Sequence, residues 1–203
     1  MASQKFLHEM LKYFADNNIS FKWEHDFQRE IERYLVSIGY NVERERETCI
    51  DNKKVRLDFL IRCSNISSVL EVKYKLYQKH TKIENSVYAF FKDISRIECI
   101  LDKNSDIENG FCIFLSNDQR FWVEKQRNNP SADAREFKLN DGCFIEGTKT
   151  WHSHKNNLNL EKNYPPIKIR GRYKIVWHDY GHIFIDKQSE TDFKYVLLAI
   201  TRA

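Results

Sequence analysis

The hydrophobic period of this chain changes at residue 40, and that change restricts it to a mixed α/β fold. Before it, Phe6, Leu7, Met10, Leu11 and Phe14 recur at helical spacing, as do Phe27, Ile31, Tyr34, Leu35 and Ile38. Residues three and four apart share one face of a helix, so the spacing predicts amphipathic helices over about 4–16 and 24–38. Asp16-Asn17-Asn18 ends the first, and Gly39 is a natural residue to follow the second. From Tyr40 apolar and polar residues alternate. The charged stretch 41–48 suits an edge strand, and 54–62 and 69–74 read as largely buried strands. With a turn at Ser-Asn-Ile-Ser-Ser, 64–68, the last two form a predicted β-hairpin.

Helical spacing returns at about 83–101, with Val87, Phe90, Phe91, Ile94, Ile97 and Ile100 on one face. Asn109-Gly110 reads as a break before the apolar strand 111–115. A helix between two such strands implies a crossover back into the same sheet. Residues 117–165 are polar and irregular, and alternation recurs at 167–176, 182–185 and 193–200, predicting further antiparallel strands. The expectation is a single α/β domain over 1–203: a mixed central β-sheet flanked by helices, then a β-rich C-terminal extension from about 117 to 203.

Composition narrows the function only slightly. A 41% hydrophobic content suffices for a sizeable core, and 6 Gly and 3 Pro leave little room for long linkers. The net charge of +4 permits nucleic-acid binding through a local patch without requiring it. The five cysteines are odd in number and show no CxxC spacing, which argues against a zinc site or a disulfide framework. Three lie in apolar stretches, where a buried reduced thiol is the ordinary state. With no N-terminal apolar region and no long apolar span, the expected setting is cytoplasmic, with no membrane partner.

Chemistry concentrates in Leu57-Asp58-Phe59-Leu60 and Leu70-Glu71-Val72-Lys73. Residues two apart on a strand face the same side, so Glu71 and Lys73 project together, and Asp58 comes alongside from the neighbouring strand. Two carboxylates and an ammonium among apolar neighbours are costly unless compensated. A hard divalent cation, Mg²⁺ or Mn²⁺ in its place, is the simplest compensation. Asp58, Glu71 and the Val72 backbone carbonyl would be its ligands, with Lys73 assisting the water or the developing charge. The bland alternative is a solvated strand bearing salt bridges. The apolar flanks of the acidic residues and the bracketing helices favour the site.

The order of helix, charged strand, x-D-x-hydrophobic strand, E-x-K strand, helix and strand resembles the core of the restriction endonuclease-like, or PD-(D/E)XK, nuclease superfamily. The resemblance covers about residues 22–116, with Leu57 before Asp58 where the family pattern has Pro. It implies metal-dependent hydrolysis of phosphodiester bonds in nucleic acid, DNA favoured over RNA, in restriction or phage defence by analogy. Many members add an acidic residue on the helix before the hairpin. Glu24, in Glu24-His25-Asp26-Phe27-Gln28, is similar to the start seen in some branches, with Gln28 on the same face and Glu30 as the competing choice.

Weaker signals surround this core. Lys75 and Lys79 belong to a basic run with Tyr74 and Tyr77 interleaved, which suits either a groove tracking a phosphate backbone or a solvated loop. Lys92 and Arg96, on the helix after the hairpin, would reach a phosphate or join an intrahelical charge network with Asp93. Trp151-His152-Ser153-His154 and Trp177 to His182 lack a third ligand at diagnostic spacing, so aromatic packing or a turn is the better reading. The rival functions are a catalytically inactive nucleic-acid-binding module and a partner-docking subunit, with a homodimer as another possible assembly.

Overall fold

The computed structural model describes residues 2–50, 53–80, 82–123, 134–152, 162–186 and 189–202. Among the described residues, three α-helices, α1 (Gln4–Asp16), α2 (Glu24–Ser37) and α3 (Ile83–Lys103), accompany eight strands. The strands are β1 (Asn41–Ile50), β2 (Lys53–Cys63), β3 (Ile66–Lys75), β4 (Ile107–Ser116), β5 (Phe144–Lys149), β6 (Ile167–Lys174), β7 (His178–Asp186) and β8 (Ser189–Ile200). Six form a mixed sheet in the order β1-β2-β3-β4-β8-β7, and β5 pairs with β6 in a separate two-stranded sheet. All neighbours in the large sheet are antiparallel except β3 and β4, which α3 joins as a parallel pair.

The sheet divides two apolar cores. One holds Leu7, Met10, Phe14, Phe27, Ile31 and Leu35 of α1 and α2 against Phe59, Leu70, Val72, Ile113 and Leu197. The other packs Phe90, Phe91, Ile94 and Ile97 of α3 against Val69, Cys112, Phe114 and Val196, and takes in Ile145, Ile169 and Trp177. Both faces of β3 and β4 are thus covered, which explains why their central residues read as apolar runs. The small sheet is tied to α3 by Glu98, 2% exposed, whose carboxylate accepts from the N–H groups of Arg170 and Gly171 and from the Tyr173 hydroxyl.

The predicted helices form with ends within two residues of expectation, and Gly39 follows α2 with φ +91°. The hairpin forms too, but its turn is only Ser64-Asn65: Ser64 takes φ +55° and reverses the chain at once, so 66–68 belong to β3. Asn109-Gly110 is not a break. Gly110 lies inside β4 because α3 crosses there so closely that an added Cβ would sit 2.1 Å from Ile97 Cγ2. Gly110→Ala is expected to cost about 1–3 kcal/mol by overpacking, read as a lowered urea midpoint with an unchanged slope. Of the cysteines, all free, only Cys112 is fully buried; Cys63, Cys99 and Cys143 are half-buried and Cys49 is exposed. The tail strands do not stand apart either, since β8 and β7 extend the central sheet beyond β4.

The aromatic reading of the tryptophans holds among the described residues. Trp151 stacks on Tyr164 with ring centroids 4.3 Å apart, and Trp177 packs on Trp122 and Phe114. His154 lies outside the described residues. None of the described helices is long and apolar enough to cross a membrane.

Candidate active site

The β2–β3 ladder runs from Cys63–Ile66 to Phe59–Leu70 and stops there, while β3 continues to Lys75 paired with β4 on its other side. The N–H groups of Val72 and Tyr74, two apart and therefore on one edge of β3, are left without partners on β2. Carboxylates take them. Asp58 Oδ2 accepts from the Val72 N–H at 2.8 Å, and Glu24 Oε2 accepts from the Tyr74 N–H at 3.0 Å. A buried N–H must find an acceptor, so the divergence of two strands holds two carboxylates against β3.

Side-chain alternation along β2 shifts at the same place. Phe59 and Ile61 enter the core beneath α1 and α2, as alternation requires, whereas Leu57 joins the core beneath α3. Opposite, Glu45 of β1 adopts φ +50°, and Glu45 and Asp58 are missing from an otherwise regular register. This local twist turns Asp58 toward β3.

Glu71 and Lys73 face α3, as their spacing predicts. Glu71 is 1% exposed, and Arg96 of α3 lies against it: Nε donates to Oε1 at 3.1 Å, and Nη2 is 2.7 Å from Oε2. Asp93, one turn before Arg96, links the cations, with Oδ1 2.7 Å from Arg96 Nη2 and Oδ2 2.7 Å from Lys73 Nζ. Lys73 Nζ also donates to the Val72 carbonyl at 3.3 Å. Glu24 adds a second pair at the rim, with Oε2 3.0 Å from Lys75 Nζ.

The cluster is short of positive charge. Asp58, Glu71 and Asp93 set three acids against the two bases Lys73 and Arg96, and the Glu24–Lys75 pair at the rim adds one of each. Burial drives the Glu71 carboxyl well above the ordinary carboxylate range, and Asp93 pushes it further; Arg96 and Lys73 oppose without cancelling this. Burial likewise raises Asp93 against the pull of the same two cations. Burial alone would lower Lys73 and Arg96, but the facing carboxylates outweigh it and both are raised. Both basic groups therefore stay charged, while the Glu71 carboxyl is held well above its ordinary range.

Glu71 Oε2 and Asp93 Oδ2 each lie 2.7 Å from a cationic nitrogen, an ion-pair contact that occupies part of each oxygen's acceptor capacity. They are hard oxygen donors on an electron-rich cluster that lacks one positive charge, which suits Mg²⁺ or Mn²⁺. Among the described residues no three His, Cys, Asp or Glu side chains come together as a ready metal shell. The physical reason is Arg96 and Lys73, which stand between the carboxylates. Two carboxylates and the Val72 carbonyl still match the sparse protein ligation that Mg²⁺ accepts when water and substrate complete its shell.

Of the residues singled out from sequence, Asp58, Glu71, Val72, Lys73, Glu24, Lys75 and Arg96 converge here. Glu30 does not: it pairs with Arg33 on its own helix at 2.9 Å, leaving Glu24 as the helix carboxylate against β3. Gln28 is half-buried one turn beyond Glu24 and makes no hydrogen bond to the cluster. Lys92 and Lys79 are exposed and are not drawn in. Asp93 was legible only as a member of a helical charge network, and that network exists, but it is turned inward. Phe90 and Ile97, three before and four after it, were the signal, since both lie on the buried face of α3. Compared with family models, curated proteins and solved structures, the chain matches none.

Proposed function

We propose that this chain is a divalent-cation-dependent nuclease of the PD-(D/E)XK type, hydrolysing phosphodiester bonds in nucleic acid. The observation that carries the reading is the meeting of Asp58, Glu71 and Lys73, with Glu71 1% exposed and Asp58 held against β3 by the Val72 N–H. The order α2-β1-β2-β3-α3-β4, with β3 and β4 parallel, supports it, because the superfamily core has this order. Asp58, Glu71 and the Val72 carbonyl would hold the cation. When bound, such a cation polarises a phosphate oxygen and makes water more acidic. Lys73, kept charged by Asp93 and Asp58, stabilises negative charge developing on the phosphate or orients the attacking water. Asp93 positions Lys73, and Arg96 holds Glu71 between turnovers.

A second reading has its own support. Arg96 against Glu71 neutralises a candidate ligand from within the chain, as expected of a fold that binds nucleic acid without cutting it. Labelled single- and double-stranded DNA and RNA, incubated with Mg²⁺, Mn²⁺ or EDTA, separate the two. The nuclease reading expects cleavage with either metal, none in EDTA, and a loss of about 10²–10³-fold in Lys73→Ala. Salt-sensitive binding without turnover would instead select the binding module.

A further inference from the structure

Beside the cluster lies a groove of about 720 Å³ between the start of α2 and the segment that follows β3. Two large aromatic rings in it face solvent: Trp23, 61% exposed, from the N-cap of α2, and Tyr77, 53% exposed, two residues beyond Lys75. Exposed rings grouped in one groove mark a binding surface more often than chance. Both are held in place. Asp26 Oδ2 accepts from the Trp23 N–H at 3.2 Å, and Asn117 Oδ1 accepts from the Tyr77 N–H at 2.7 Å. The Arg120 guanidinium stands 5.0 Å from the Tyr77 ring centroid while pairing with Asp118.

The groove adjoins the candidate active site through its neighbours in the chain: Trp23 and Leu76 line it, next to Glu24 and Lys75. Trp23 precedes Glu24, and the Glu24–Lys75 ion pair forms the joint between the two. The groove's own acids are neutralised within α2, Asp26 by Arg29 and Glu30 by Arg33. Lys22 lines the groove with its Nζ 5.7 Å from the Trp23 ring centroid, and Lys79, just beyond Gln78, is exposed, so positive charge stands close to both rings.

We propose that this groove stacks unpaired bases of a single-stranded nucleic acid on Trp23 and Tyr77 and feeds the adjoining phosphate to Lys73. The inference rests on the nuclease reading and names its substrate class. Bases in a duplex are covered above and below by their neighbours, so exposed rings gain most from bases that are free to leave the stack. Every base has such a face, and the groove therefore prefers single strands without reading their sequence.

Fluorescence anisotropy in EDTA tests this apart from turnover, using labelled single-stranded DNA, single-stranded RNA and duplex DNA. Wild type is expected to bind single strands more tightly than duplex. Trp23→Ala and Tyr77→Ala should each weaken single-strand binding by roughly 5- to 150-fold, and Trp23→Phe and Tyr77→Phe should recover most of the loss. Unchanged single-strand affinity in both alanine variants, no single-strand binding by wild type, or a wild-type preference for duplex would each overturn the proposal. Ring-dependent binding without metal-dependent cleavage leaves the groove standing and removes the nuclease. Cleavage with ring-independent binding does the reverse.

Discussion

Glu71→Gln is expected to lose the proposed metal-dependent cleavage by orders of magnitude and at the same time to stabilise the metal-free protein. In the folded chain the Glu71 carboxyl holds its proton more tightly than in the unfolded chain, because burial and Asp93 disfavour its charge. A group whose folded pKa is raised contributes stability below its unfolded pKa and loses it as pH rises through the folded value. Wild type in EDTA should therefore lose stability as pH increases above the ordinary carboxyl range. The amide is neutral at every pH and its oxygen still accepts from Arg96 Nε, while its NH2, in the place of Oε2, faces the Arg96 Nη2 donor and offsets part of the gain. The expected gain at neutral pH is on the order of 1 kcal/mol, or about 2–4 °C in Tm, with a flatter pH profile. Cleavage should fall by about 10²–10³-fold or more. Thermal melts in EDTA across pH, beside a cleavage assay, check both halves. A lower Tm with the wild-type pH slope would show that Glu71 is a structural ion-pair partner and nothing more. Opposite signs for stability and activity are the mark of a site built for function.

Arg96→Met has the largest expected effect on folding itself. The guanidinium is the shared partner of Glu71, on β3, and Asp93, on the inner face of α3. Removing one partner of a buried ion pair strands the remaining charge, at a cost of about 3–5 kcal/mol. Acid should return part of the loss, because Glu71 and Asp93 can then take up protons. The double variant with Glu71→Gln should regain more than the two separate effects predict, since the residues touch. Lys92→Met, on the exposed side of the same helix, should change stability by less than about 0.5 kcal/mol. Urea melts of wild type, the three single variants and the double variant at two pH values decide it. An Arg96→Met cost no larger than that of Lys92→Met would mean that the pair contributes little to the fold.

How much of this was legible from sequence depended on the range of the interactions. The period of two that puts Glu71 and Lys73 on one face is local, and so is the helix start that places Glu24 beside β3. Asp58 was found because its neighbours are apolar, although the strand divergence that aims it belongs to the tertiary structure. Asp93 looked like half of a solvated i, i+3 pair with Arg96, and only the rotational setting of α3 decides that both turn inward. Gly110 was misread for the opposite reason: a glycine that punctuates a loop and one that admits a crossing helix look alike in one dimension. Nor does any local pattern say which edge of the sheet receives β7 and β8, because that choice is made between residues some eighty positions apart, such as Phe114 and Val196.

That last pairing bears on how the protein is made. Residues 111–115 of β4 are all buried, and one flank of the strand is closed by β8 alone. On the ribosome, β1 to β4 emerge long before residue 200, so the nascent chain carries an apolar strand with an open edge for several seconds of synthesis. Such an edge invites pairing with other chains. Strand β3, which carries Glu71 and Lys73, is its neighbour on the other flank. The strand order thus leaves the most apolar strand of the sheet dependent on a segment made some eighty residues later.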